Sequence, residues 1–268
     1  MKVGVLEKIN CLETQKTTVD LLVFLSNLGY QTKHFTCVEE IEGVDVVIVL
    51  GGDGAILHAA VTAARRGIQI IGVNYGNLGF LTEFEKDEWD KLKDLLALRN
   101  EDKCRILKRT LLQVDVGEKT YYALNEAAIQ RDYGLHLNKP TQILKVGVKT
   151  KEGDDRIAGD GLLICTPTGS TAYSLSAGGA ILTPEAPVLM LTPVCAFSMR
   201  RRPVVFSNNE VFHLRVERGE AVLLLDGSAV SILPENAEIT VKKAPFTADF
   251  PVRENNAFFD KVSNKLNQ

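Results

Sequence analysis

Two glycine-containing stretches hold the residues whose types and spacing best fit chemistry. Gly51-Gly52-Asp53-Gly54 places one carboxylate at the end of an apolar run, where N–H groups at a helix start can receive phosphate and the carboxylate can take a proton. That is an arrangement for phosphoryl transfer, a reaction carried mostly by positioning and charge neutralisation. The second stretch runs from Asp160-Gly161 through Thr166-Pro167-Thr168-Gly169-Ser170-Thr171-Ala172-Tyr173. Its small hydroxyl residues and glycines let a ligand approach the main chain closely. Asn125-Glu126 adds an amide beside a carboxylate, able to bond a base edge and two ribose hydroxyls. Each has a plainer reading beside it: a tight turn whose Asp53 caps a helix, and a polar pair at a strand end.

Other chemistries fail on spacing. There is no G-x-x-x-x-G-K-[ST] and no G-x-G-x-x-G, so neither a Walker-type NTPase nor a hydride-transferring dinucleotide fold is indicated. Ser174-Leu175-Ser176-Ala177-Gly178 lacks the leading glycine of a nucleophile elbow. The four histidines, His34, His58, His136 and His213, are scattered; His58, five residues after Asp53, is either a phosphate or ribose contact or a solvated helix residue. The five cysteines, Cys11, Cys37, Cys104, Cys165 and Cys195, form no C-x-x-C pair and read as buried thiols of a reducing compartment. Without a His/Cys cluster the expected metal is a hard Mg²⁺ held largely by donor phosphates and water, with room for one carboxylate, and no protein ligand for it can be named from the sequence.

The elements that must position these residues follow from periodicity. A strand at 3–6, a helix whose apolar residues recur from Val19 to Leu28, and a strand at 31–35 lead to Val44–Leu50, a β-branched run of the kind buried on both faces of a parallel sheet. A helix over 55–66, a strand over 68–73, the glycine-bearing loop Asn74–Leu81 and a helix near 85–98 complete an α/β domain. From Arg105 the pattern is strand after strand: 110–116, 120–130, 143–148, 156–158, 162–166, 188–192, 204–206, 211–216, 221–225 and 238–242. The spacing breaks at Phe246, and a helical pattern covers Asn255–Leu266. The expected architecture is an α/β N-terminal domain over 1–100, a parallel sheet with helices on both faces, and a mostly-β sandwich over 101–248, with 249–268 returning to the first domain.

The 268 residues are 45% hydrophobic and 24% charged with a formal net charge of −3, which excludes disorder and gives no global attraction to nucleic acid. Arg200-Arg201-Arg202 is a local patch, not a nucleic-acid surface. The N-terminal apolar run is too short for a signal peptide, and no stretch approaches the ~20 apolar residues of a membrane span. The expected location is the cytoplasm.

Taken together, these stretches resemble the NAD kinase family. The resemblance rests on Gly51-Gly52-Asp53-Gly54, on Val73–Leu81 (VNYGNLGFL), on Leu124-Asn125-Glu126 and above all on Asp160–Gly179 (DGLLICTPTGSTAYSLSAGG). It implies transfer of a phosphoryl group from ATP or polyphosphate to the adenosine 2′-hydroxyl of NAD, giving NADP, with NAD as substrate. It implies Asp53 as the base for that hydroxyl, Asn125 and Glu126 on the adenosine, and Asp160, Thr168, Thr171, Ala172, Tyr173 and Ser176 around the dinucleotide; Gly52, Gly54 and His58 are candidate substrate contacts from their place beside Asp53. A homodimer or homotetramer is also implied. Four positions depart from the common pattern: Ala55, Ala158, Ala196-Phe197 and Asp226-Gly227-Ser228. They bear on donor choice, NADP affinity and the subunit contact. The alternatives are a non-catalytic NAD(H)/NADP(H)-binding sensor, and a lipid or sugar kinase sharing only GGDG.

Overall fold

The computed structural model describes residues 1–7, 12–76, 79–132, 142–254 and 258–266. Cys11, Asn77, Leu78, His136 and Asn255 lie outside the described residues. The chain divides into two compact units, Met1–Arg109 with Phe246–Gln268, and Thr110–Pro245.

In the first unit the elements run β1 (Lys2–Leu6), α1 (Leu12–Asn27), β2 (Gln31–Phe35), β3 (Val46–Leu50), α2 (Asp53–Arg65), β4 (Gln69–Asn74), β5 (Phe84–Glu85) and α3 (Trp89–Asn100). The strands form a parallel sheet in the order β2-β1-β3-β4-β5. All five residues of β3 are buried, as a β-branched strand covered on both faces must be. Leu21 and Leu25 of α1 and Leu92, Leu95 and Leu96 of α3 pack into the core with Val46, Ile48 and Leu50. On α2 the buried residues are Ile56, Ala59, Ala60, Ala63 and Ala64, a stripe of small side chains that lets the helix lie close to the sheet. Strand order reverses between β1 and β3, and in open α/β sheets ligands bind beyond the carboxyl ends of the strands at such a point. Gly51-Gly52-Asp53-Gly54 follows β3 at that end.

In the second unit come β6 (Arg105–Val116), β7 (Lys119–Ala123), β8 (Glu126–Arg131), β9 (Leu144–Thr150), β10 (Gly153–Gly159) and β11 (Gly161–Cys165). A 3-10 turn (Thr168–Thr171), a single-turn α4 (Tyr173–Ser176), β12 (Val188–Val194), β13 (Val204–Ser207), β14 (Val211–Arg218), β15 (Ala221–Leu225), β16 (Ser228–Leu233) and β17 (Glu238–Val252) follow. The chain changes unit within β6 and within β17 and ends in α5 (Phe258–Leu266), which belongs to the first. Two six-stranded antiparallel sheets form, β10-β9-β14-β17-β6-β7 and β13-β12-β11-β8-β15-β16. Strands alternate inward and outward residues: on β14, Phe212, Leu214 and Val216 are buried and His213 and Arg215 exposed. Inward residues of both sheets, among them Val146, Phe212 and Val241 from one and Ile129, Leu162 and Leu223 from the other, make one core.

The structure departs from the sequence expectations in four ways. The run 120–130 is two strands in different sheets, β7 and β8, with the chain crossing between sheets at Leu124-Asn125. Propensity gives no sign of that crossing, because its cause is a carboxylate about a hundred residues away, described below. The strand starting at Glu238 continues through Phe246 to Val252; Pro245 lies past the stretch paired with β14, so its missing N–H removes nothing from that ladder. An unexpected strand, β16, forms at the edge of its sheet from the weakly patterned S-A-V-S-I-L. The cysteines are not uniformly buried: Cys165 is, Cys37 and Cys104 are partly so, and Cys195 is exposed. Burial pushes the Cys165 thiol up to about 12 and leaves it inert.

Candidate active site

Asp53 is the first helical residue of α2, and the residue preceding the helix is Gly52, with no side-chain cap. The helix-cap reading of the aspartate is therefore set aside. Its carboxylate turns away from α2 onto the segment after β4: the N–H of Phe80 donates to Oδ2 at 2.8 Å and that of Leu81 to Oδ1 at 2.9 Å. Gly79 makes this approach possible, since a Cβ there would stand 2.3 Å from Asp53 Oδ1. A carboxylate offers about four lone-pair directions, so two bonds fix its plane and leave capacity for a substrate hydroxyl. The side chain is 27% exposed and thus open to such a partner. Around Gly52 and Gly54 a side chain would meet open space, which keeps the helix N-terminus clear for an anion. His58 is exposed on α2, and five residues of helix turn it about 140° from Asp53, so the structure does not bring the two together.

The segment holding Asp53 is anchored from both ends. Buried Asn74 donates to Glu85 at 3.0 Å and accepts from the Gly76 N–H at 3.1 Å. From the C-terminal stretch, Arg253 donates to the buried Glu83 carboxylate through its backbone N–H (2.9 Å) and Nε (3.0 Å), and to the Glu83 carbonyl at 2.6 Å. Lys261 Nζ donates to the Thr82 carbonyl at 2.9 Å.

The second unit gathers the other candidates. Asp226, at φ +48° in the turn between β15 and β16, accepts the N–H groups of Leu124 (2.8 Å), Asn125 (2.7 Å) and Glu126 (3.1 Å). Thr166 holds the same crossing from the other side, its hydroxyl donating to the Leu124 carbonyl at 2.6 Å and its N–H to the Asn125 carbonyl at 2.9 Å. Gly169 presses against it as well: a Cβ would lie 2.1 Å from the Asn125 carbonyl oxygen. The second stretch and Asn125-Glu126 are therefore one structure. With the crossing fixed, Asn125 Oδ1 and Glu126 Oε2 are left buried with no hydrogen-bond partner. Unsatisfied buried polar atoms are costly, and a pair of them side by side is what a polar ligand would satisfy. Burial first, then the nearby Asp226 carboxylate, pushes Glu126 up to about 8, against a backbone N–H from Tyr173 that favours the ionised form.

Thr168 is buried in the 3-10 turn and accepts the Thr171 hydroxyl at its carbonyl, Thr171 and Ala172 are half-buried, and Tyr173 accepts from Gln130 at its hydroxyl (3.0 Å). Ser176 is exposed at the end of α4. Asp160 meets Arg131 at 3.0 Å in the loop between β10 and β11. Of the departing positions, Ala158 accepts the Phe197 N–H at 2.8 Å, and the Phe197 side chain is 79% exposed. Sequence reasoning quoted Asp226, Thr166, Phe80 and Leu81 within its motifs but assigned none of them its part here, as anchor, clamp and the two amides on Asp53.

Among the described residues no group of three or more His, Cys, Asp or Glu side chains is placed to hold a metal ion. The described residues make no protein-borne cage for Mg²⁺.

One unit carries an anchored acidic glycine turn at a strand end and the other an unsatisfied Asn-Glu pair. The ATP-NAD kinase N-terminal domain model matches residues 4–103 and the ATP-NAD kinase C-terminal domain model residues 124–251. The chain belongs to the ATP-NAD kinase family. It is 37% identical over 253 residues to NAD kinase 2 of Prochlorococcus marinus, covering 91% of this chain and 79% of that one. It is 30% identical to the NAD kinase of Methanothermobacter thermautotrophicus, covering 99% and 96%. An NAD kinase from Archaeoglobus fulgidus, solved in complex with ATP, superposes with a TM-score of 0.81 at 26% identity over 100% of this chain and 99% of that one. Yeast NADH kinase shares the fold with a TM-score of 0.86 at 23% identity, over 100% and 87%.

Proposed function

We infer that this chain is an NAD kinase, moving the terminal phosphoryl group of ATP onto the adenosine 2′-hydroxyl of NAD to give NADP and ADP. The observation that carries the reading is the family match to both halves of the chain, residues 4–103 and 124–251. The ATP bound by the Archaeoglobus relative supports ATP as donor, and polyphosphate is the second donor to be tried. In the step itself the 2′ oxygen forms a bond to the terminal phosphorus while the bond from that phosphorus to the ADP oxygen breaks. Asp53 receives the hydroxyl proton. Its fixed carboxylate plane supports this role, because a base must already point at the proton it takes.

Asn125 and Glu126 hold the adenosine through the buried atoms that lack partners in the protein alone. Burial favours the protonated form of Glu126, in which the carboxyl donates one hydrogen bond and still accepts others. Asp160, Thr168, Thr171, Ala172, Tyr173 and Ser176 line the rest of the dinucleotide, and Gly52 and Gly54 stand on the phosphate side. A Mg²⁺ ion bound to the donor phosphates would supply charge neutralisation there. The protein works in the cytoplasm as a homodimer or homotetramer.

The experiment is a matrix of donors against acceptors: ATP and polyphosphate, each with NAD and NADH, in the presence of Mg²⁺. NADP or NADPH should form with at least ATP. Tight dinucleotide binding with no product from any combination would select a sensor, and phosphorylation of a lipid or sugar but not of NAD would select another GGDG kinase.

A further inference from the structure

The C-terminal helix α5 carries a second charge to the candidate base. Lys265, in its last turn, places Nζ 3.5 Å from Asp53 Oδ2 and 4.3 Å from the centre of the Phe80 ring. Phe80 is the residue whose N–H donates to that same oxygen. The contact is not an accident of a loose tail. Phe258, at the start of α5, packs on Phe80 with ring centres 6.4 Å apart, Val262 is 8% exposed, and Lys261 bonds the Thr82 carbonyl while its ammonium lies 3.7 Å from Glu83. Asp260 in the first turn and Lys265 in the last complement the helix dipole, so the ammonium sits where the helix favours it. Side-chain exposures of 33% for Lys265 and 27% for Asp53 leave the pair reachable by substrate but partly shielded from water.

We propose that Lys265 is a positioning residue for phosphoryl transfer, acting through Asp53. This rests on Asp53 as the group that receives the hydroxyl proton. A bare carboxylate beside an incoming polyanionic donor is repelled by it. An ammonium on its Oδ2 edge cancels that repulsion and, with the Phe80 and Leu81 amides, holds the carboxylate plane while one edge stays open to the hydroxyl. The aromatic ring beneath the ammonium fixes its height through a cation–π contact. The residue is some two hundred positions from Asp53 in sequence, and the return of the chain to the first unit brings the two together.

The test uses the full chain and four variants. Lys265→Met keeps the stem packed on Phe80 and removes the charge; Lys265→Arg keeps the charge; Asp53→Asn and the double variant Asp53→Asn/Lys265→Met close the cycle. Lys265→Met should lower kcat about three- to tenfold with KM for NAD within twofold and the melting temperature nearly unchanged, and Lys265→Arg should recover most of the loss. In the Asp53→Asn background Lys265→Met should add less than a twofold further loss. The proposal is overturned if Lys265→Met matches wild type, if Arg is as impaired as Met, or if the two losses multiply. Absence of NADP formation by the wild-type protein would instead overturn the functional reading on which it rests.

Discussion

At the scale of single residues, the two carboxylates of the candidate site have contrasting surroundings. Asp53 is met by two amides and an ammonium. Glu126 is buried beside another carboxylate and is pushed up to about 8 from an ordinary value of 4.5. The folded protein therefore binds a proton at Glu126 that the unfolded chain releases. Its contribution to stability is intact below about pH 4.5 and is lost as pH rises through the window from there to about 8. Glu126→Gln removes that dependence: melting temperatures measured from pH 5 to 9 should fall less steeply for the variant than for wild type, and parallel slopes would show that Glu126 does not titrate in this window. Both carboxylates were visible in the sequence as polar residues at the ends of apolar runs. Their surroundings were not, because Asp226, Phe80, Leu81 and Lys265 reach them from 27 to 212 residues away.

At the scale of elements, glycines at two crowded turns explain why the motifs read as they do. Gly79 admits the Asp53 carboxylate, and Gly169 admits the Asn125 carbonyl, so each motif is a packing contact as well as a chemical one. Gly169→Ala forces a Cβ to 2.1 Å from that carbonyl oxygen, against backbone held by Thr166 and Asp226. The variant should lose about 1–3 kcal/mol of stability in denaturant titration and bind NAD more weakly. Unchanged affinity would separate the 3-10 turn from the site. The regular elements were largely readable, since a β-branched run such as Val46–Leu50 or an alternation such as Val211–Val216 is a local property. The crossing at Leu124-Asn125 was not readable, since three amides there are satisfied by a side chain from the β15–β16 turn.

At the scale of the whole molecule, the chain leaves the parallel unit within β6, builds two antiparallel sheets and returns along β17 to add its last helix to the unit it began in. That return gives the C-terminal residues a task at the site. Arg253 satisfies Glu83, a carboxylate only 6% exposed, through side chain and backbone together. Arg253→Met leaves that buried charge under-compensated, and stability should drop by about 1–3 kcal/mol. A matching loss of activity is expected, since Glu83 closes the segment that carries Phe80 and Leu81; unaltered stability would mean that the C-terminal stretch merely rests on the first unit. The return of the tail was expected from the sequence, but its partners were not, because a lysine or arginine in a polar helix carries no mark of what it will meet. The central claim, that an anchored Asp53 carboxylate receives the proton of the NAD 2′-hydroxyl, is tested most directly by kcat for NADP formation from ATP and NAD in wild type and Asp53→Asn. The asparagine keeps the shape of the side chain and removes its basicity, so kcat should fall about 10²–10⁴-fold with KM for NAD little changed. Wild-type turnover by Asp53→Asn would contradict the claim.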